Sequence, residues 1–168
     1  MDSKKILKEI AMENEMDYFG VAPVERFKNA PQGHRPNDLL INAQSVISLG
    51  IRIPEGVIEA NMQAQERFRH GIFTYMLFGY VKLNEFLDNA ALRLTRYIEK
   101  TYKVKAWPIP ASVPRDERLL MGAMSNRHAA VCAGLGEFGW SGLALTPDAG
   151  PRVRFVTVVT ELELEPDP

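Results

Sequence analysis

Residues 125–147 read SNRHAAVCAGLGEFGWSGLALTP, and within them GLGEFG, Gly134–Gly139, fits the pattern G-x-G-x-x-G. That pattern marks a dinucleotide-binding turn only where a strand enters it and a helix leaves it, so that helix N–H groups face the pyrophosphate. Here the order is reversed. Ser125 or Asn126 can cap a helix over RHAAVC that Gly134 ends, and the short apolar run GLALTP follows as a strand. The glycines leave the negative end of a helix dipole, which disfavours phosphate, so the dinucleotide reading fails on context.

Two other readings of the glycines stand. A helix C-cap and a tight turn need Gly134 and, at most, Gly136. Gly139 and Gly142 are then left over. Repeated loss of Cβ along a connecting segment would let a flat ligand approach the main chain, whose amides could bond its polar rim.

The elements outward from this segment alternate. Residues 3–14 place Ile6, Leu7, Ile10 and Ala11 on one face behind a cap at Asp2 or Ser3, which predicts an amphipathic helix. DYFGVAPV predicts a first strand, and RFKNAPQGHRPNDLL a loop with a brief helical turn. SVISLGIRIP, Ser45–Pro54, predicts a second strand in a central position. From about Glu66 to Tyr102 the spacing of Leu83, Leu87, Ala90 and Leu94 is helical, with a break expected near Gly79. KVKAWPIPA predicts a third strand that ends at Pro108 or Pro110, because proline has no N–H for a ladder. SVPRDERLLMGAM is read as loop. The tail RVRFVTVVTELEL alternates as a long strand and is expected to form an antiparallel hairpin with GLALTP across the PDAGP turn. The sum is an α/β (α+β) sandwich with a mixed, partly antiparallel sheet flanked by helices.

Composition narrows the function. A chain of 168 residues suits one domain with a real core. Twenty basic against 21 acidic residues leave a net charge of -1, so no global field would collect nucleic acid or an anionic membrane. No run approaches the roughly 18 apolar residues of a membrane span, and the N-terminus lacks a signal-type apolar stretch, which makes the cytoplasm the expected location. The single cysteine, Cys132, excludes an internal disulfide and any metal site built from several thiolates of this chain.

The run HAAVCAGLGEFGWSGLALTPDAGPRVRFVTVVTELELEPDP resembles the cobalamin-binding region of the epoxyqueuosine reductase family, which is related to corrinoid-dependent reductive dehalogenases. Its AGLG segment and its strand ending in TELEL carry the likeness. YMLFGYVKLNEFLDNAALRLTRYIEKTYKVKAWPIPAS and AQSVISLGIRIP are similar to the family's preceding helix and strands, so the resemblance covers nearly the whole chain in order. It implies a fold of the nitroreductase-like and cobalamin-processing kind, with residues 1–168 as one cobalamin-binding domain, the N-terminal part of a longer iron–sulfur protein. It also implies a corrin held base-off, its side-chain amides meeting Gly134, Leu135, Gly136, Gly139, Trp140 and Gly142. Queuosine synthesis in tRNA is the family's activity, so tRNA enters as a partner by that analogy alone.

Two departures accompany the resemblance. The family continues into a ferredoxin segment whose cysteines hold [4Fe–4S] clusters, whereas this chain has Cys132 only, and a cluster takes four thiolates. Electrons would come from a downstream segment or a partner. The family's proton-donating aspartate aligns with about Pro110, which cannot protonate anything. Asp116, Glu117, Tyr75 and Tyr80 are the replacement acids on offer.

Single residues divide between structural and ligand roles. His128 either caps the surface or meets the ligand's edge, and Ser112, with Pro110 and Ala111, either closes the strand or bonds a corrin amide. Tyr75, Tyr80 and Asn84 either pack with satisfied polar groups or contact the ligand. Arg152 and Arg154, on one face of the last strand, are a solvated edge or a pair for the cofactor's phosphate or carboxamides. Cys132 is read as a packing thiol. The functional candidates are a corrinoid-dependent reductase, a corrinoid carrier without activity, and a flavin (FMN) reductase on the same fold.

Overall fold

The computed structural model describes residues 2–64, 69–112 and 121–168. Helix α1, Ser3–Glu13, is capped as expected by Asp2, whose carboxylate accepts from the Lys4 N–H at 3.0 Å. β1, Tyr18–Pro23, and a 3-10 turn at Val24–Phe27 lead to the short α2, Pro36–Leu39, and then to β2, Ser45–Arg52. α3, Glu55–Gln63, has no counterpart among the expected elements. The long helical region follows as α4, His70–Thr74, a π-helix at Tyr75–Val81, and α5, Lys82–Tyr102. β3, Ala106–Ile109, α6, Asn126–Cys132, β4, Glu137–Phe138, β5, Ala144–Leu145, and β6, Val153–Thr160, complete the order.

Four strands form one sheet in the order β1-β2-β6-β3. Every pairing in it is antiparallel, from Ser45↔Thr160 to Arg52↔Val153 at its centre. The sandwich of sheet and helices is as read from the sequence, and the parallel component that a mixed sheet allows for is absent among the described strands. The alternation of each strand sorts its side chains to two faces. On one face Phe19, Val21, Ile47, Leu49, Ile51, Val156 and Val158 pack against Leu7 and Ala11 of α1 and Leu83, Leu87, Leu94 and Ile98 of α5. On the other, Ala22, Val46, Ile109 and Val159 meet Phe27, Leu40, Ala129 and Ala133. β2 sits inside the sheet because seven of its eight residues are buried, which requires cover on both faces and strands on both edges.

Two expectations are corrected here. Gly79 does not break the helix: the chain runs from His70 to Tyr102 without leaving helical geometry, with Gly71 in α4 and Gly79 in the π-helical stretch. α3 explains them. A Cβ on Gly71 would lie 1.8 Å from the Ala60 carbonyl oxygen, and one on Gly79 would crowd the Tyr75 ring and Val57, so both sites are side-chain-free to let α3 approach. The expected hairpin also fails. β5 pairs with β4, not β6, and the PDAGP turn closes on itself through a Thr146↔Gly150 bridge. β6 is drawn away because all eight of its residues find partners on β2.

Past β6 the tail doubles back. Leu164 is buried and its N–H donates to Ser45 Oγ at 3.0 Å. Asp167 then meets the open side of β1: its N–H donates to the Val21 carbonyl, its carboxylate accepts the Val21 N–H at 2.9 Å, and Lys4 Nζ reaches the other oxygen at 2.7 Å. Among the described residues no helix is long and apolar enough to cross a membrane. Asp167→Ala should leave the amide of fully buried Val21 without an acceptor and lower stability by about 1–3 kcal/mol. Urea denaturation read by circular dichroism measures the difference.

Candidate functional site

Three consecutive residues at the start of α6 hold two loops together. Asn126 Nδ2 donates to the Pro110 carbonyl at 2.9 Å and to that of Ala111 at 3.5 Å. Arg127 donates to the Gly142 carbonyl at 2.5 Å. The His128 ring lies 4.6 Å from the Phe138 ring, tilted by 55°. The loop after β3 is tied to the opposite layer as well, because the Ala111 N–H donates to Asp88 Oδ1 of α5 at 2.8 Å and Ser112 Oγ lies 2.5 Å from the Tyr80 hydroxyl. Tyr80 belongs to the π-helix, and the Arg154 guanidinium sits 4.2 Å above its ring centroid.

Sheet topology leaves this rim open. Among the described residues β3 pairs with β6 only from Ala106↔Thr160 to Ile109↔Thr157, so residues 153–156 of β6 have no described strand on that side. Pro110, Ala111 and Ser112 turn off at the step, between α5 and α6. The first turn of α6 thus links Pro110 and Ala111, through Asn126, with Gly142, through Arg127, and with Phe138, through His128, which makes one rim, while Tyr75 lies close enough in the π-helix to influence the Arg154 charge. Asp116 and Glu117 lie outside the described residues.

Gly134, Leu135 and Gly136 sit at the far end of α6, about 10 Å away for a seven-residue helix. Gly134 ends α6 in the left-handed region at φ 73°, with the Gly134 N–H bonded to the Val131 carbonyl and the Leu135 N–H to that of Ala130. That is a Schellman cap, as the structural reading required. The other glycines have a packing reason that the sequence did not show. A Cβ on Gly136 would stand 2.1 Å from the Leu145 carbonyl oxygen, and one on Gly139 would stand 2.7 Å from the Leu145 side chain. Their missing side chains make room for β5, so no flat ligand is needed to explain them. Of the four, only Gly142, at φ 69°, has room for a Cβ, which would meet Arg127 at 3.7 Å in ordinary contact.

What the hairpin offers outward is apolar. Phe138, Trp140 and Leu143 are exposed at its tip, and Trp140 is wholly so. The tip is held by the Gly139 N–H on the Leu143 carbonyl and by Arg127 on Gly142. His128 completes the surface. Ser125 Oγ accepts the His128 backbone N–H as the helix cap and lies 2.8 Å from Nδ1. In the tautomer whose Nδ1 accepts the serine hydrogen, the neutral ring carries its proton on Nε2. Partial burial, and after it the charge of Arg127, hold the His128 pKa below its ordinary 6.5. Asn126 Oδ1 is buried with no hydrogen-bond partner, an acceptor the sequence did not single out. Phe138, Asp88 and Arg127 were missed as well; their roles come from contacts across the chain, not from any local pattern.

Cys132 is a packing thiol as expected. Burial pushes its pKa up and Arg26 only partly opposes that. Two shallow depressions, of about 440 Å³ beside Arg96, Tyr97, Glu99 and Lys100 and about 250 Å³ beside Glu13, Phe86 and Arg93, share no residue with this rim.

The same architecture occurs in solved reductases. Epoxyqueuosine reductase from Streptococcus thermophilus superposes with a TM-score of 0.68 at 18% identity, over 100% of this chain and 48% of that one. An epoxyqueuosine reductase solved with an epoxyqueuosine-modified tRNA-Tyr stem loop gives 0.65 at 15% identity, over 98% and 46%. A reductive dehalogenase whose structure suggests a mechanism for B12-dependent dehalogenation gives 0.59 at 18% identity, over 96% and 20%. This chain thus has the fold of these reductases and spans about half the length of the epoxyqueuosine reductases it matches. No family model matches the sequence, and no curated protein matches it.

Gly136→Ala should destabilise the chain by more than about 3 kcal/mol or prevent folding, since backbone is in the way. Gly142→Ala, strained by its φ alone, should cost about 1–2 kcal/mol. Thermal unfolding ranks the two. The His128 ring should titrate by NMR with a midpoint below 6.5, and Arg127→Gln should raise that midpoint without restoring it, because burial is the larger cause. A lowered folded value means that the stability contributed by neutral His128 is complete above the unfolded value of about 6.5 and fades as pH falls through the folded one.

Proposed function

We propose that this chain is the corrinoid-binding domain of a reductase of the epoxyqueuosine reductase type. The observation that carries the reading is the rim between α5 and α6, occurring on a fold shared along the whole chain with epoxyqueuosine reductases and with a B12-dependent dehalogenase. The residues at the rim fit a corrinoid, a broad apolar disc with a margin of carboxamides. Phe138, Trp140 and Leu143 give an exposed apolar surface. The orphaned Asn126 Oδ1 is an acceptor for a carboxamide N–H, and the Nε2–H of His128 is a donor for a carboxamide oxygen. Ser112, fixed against Tyr80, can serve in either sense. The glycine segment would fold the hairpin that carries Trp140, with Gly136 and Gly139 making room for Leu145.

A bound corrinoid would supply a low-valent cobalt able to pass electrons to a substrate. The chain's own residues would hold the disc, keep water from its apolar face and set its distance from the rim. The single cysteine cannot ligate a four-thiolate cluster, so we assign electron supply to an iron–sulfur segment or partner outside these residues, of which 1–168 would be the N-terminal portion. Pro110 stands where the resemblance calls for an acid, so the substrate's proton would come from another group, Tyr80 being the nearest phenol on the described rim. A tRNA substrate follows the neighbour solved with a tRNA stem loop.

Titration with cob(II)alamin, followed by absorbance, should show saturable one-to-one binding and a base-off spectrum. Trp140→Ala should weaken it about tenfold, equivalent to roughly 1.4 kcal/mol. An unchanged corrinoid spectrum together with FMN binding would replace this reading with the flavin one.

A further inference from the structure

We propose that Arg154 is the centre of a subsite for a singly charged oxyanion, a phosphodiester or a carboxylate, framed by Tyr80, Asn84 and Ser112. Arg154 lies on the α5 face of β6 between buried Val153 and Phe155, in the half of the strand that β3 leaves uncovered. A half-buried guanidinium normally meets a carboxylate, because desolvating it without a partner is costly. Here none of the described ion pairs includes Arg154; they use Lys4, Arg52 and Lys82. Burial pulls its pKa below the usual value, against the opposing influence of Tyr80 and Tyr75, yet a guanidinium stays charged at neutral pH.

The neighbours orient the group, Tyr80 being a second hydrogen-bond partner beside Asn84, and no carboxylate among the described residues pairs with it. Nε donates to Asn84 Oδ1 at 2.7 Å, and Asn84 is itself buried. One face of the plane rests on the Tyr80 ring at 4.2 Å, and the Tyr80 hydroxyl is fixed by Ser112 at 2.5 Å. Neither terminal nitrogen is in an ion pair among the described residues, and a guanidinium fork can receive two oxygens of one anion. A Tyr–Ser pair this close also leaves one hydroxyl hydrogen to give. One cation with no second beside it among the described residues selects a single negative charge over a dianion. Arg152, by contrast, is exposed and precedes the strand, so the expected arginine pair is one working residue and one surface residue. The inference does not rest on the corrinoid reading, although the two sites share Ser112.

The test follows the arginine Nε–Hε resonances of the ¹⁵N-labelled chain during titration with dimethyl phosphate and, separately, acetate, at fixed ionic strength. The Arg154 resonance should move saturably and further than that of Arg152. Arg154→Lys, which keeps the charge but loses the fork, should weaken the interaction at least fivefold, and Arg152→Met should leave it unchanged. Displacement of dimethyl phosphate by cobalamin or by a short RNA identifies which phosphodiester is the natural one. An Arg154 resonance that responds no more than Arg152, or that shifts on Asp116→Asn or Glu117→Gln before any anion is added, overturns the proposal. Corrinoid binding without an Arg154 response would sink the subsite and spare the proposed function; an Arg154 response without corrinoid binding would do the reverse.

Discussion

The pairing of β2 with β6 is the constraint from which the other contacts take their positions. Eight residues of each strand pair in one unbroken register, and side chains on both faces are buried, so neither strand can slip by one residue without exchanging its two faces. The height of α6 above this pair is set by small residues. A Cβ on Gly20 would stand 2.5 Å from the Ala133 carbonyl oxygen, and Ala129, Ala130 and Ala133 face the sheet without larger side chains. Ser48 and Thr157 are partners in register, and their buried hydroxyls find no hydrogen bond beneath the helix. Shape is thus favoured over polar satisfaction at that layer. The result is a helix close enough to the sheet for its first turn to grip the loop after β3 on one side and the β4–β5 hairpin on the other.

Much of the architecture was legible because it is written in local patterns. The caps of α1 and α6, the stop at Gly134 and the strands at Tyr18, Ser45, Ala106 and Val153 all follow from periodicity and terminal residues within a few positions of one another. What misled was anything decided at long range. Gly71 and Gly79 look like helix breakers until Ala60 and Val57 of α3 are placed against them. GLALTP looks like the mate of the last strand until the longer ladder on β2 claims that strand.

The candidate site shows the same division. Ser112, His128 and Trp140 were visible as residues, but not the contacts that give them a shared rim. Asn126 acquires its role only because Pro110 and Ala111 arrive beside it from a different strand. The glycine segment carried the strongest motif and the least direct role: Gly136 and Gly139 accommodate Leu145, so they shape the hairpin from within. A resemblance in sequence and a shared fold agree in direction here, although the glycines that first suggested a ligand are explained by the chain's own packing.

The two borders of the sheet are finished by different means. β3 is short and carries Pro108 within it, which removes one donor from that border. β1 has no such proline at its middle, and its outward Val21 amide and carbonyl are instead taken up by Asp167. The returning segment therefore acts as a guard against strand addition by a neighbouring molecule, so loss of the Asp167 contacts would bare a sticky edge and promote self-association well before the core itself loosened.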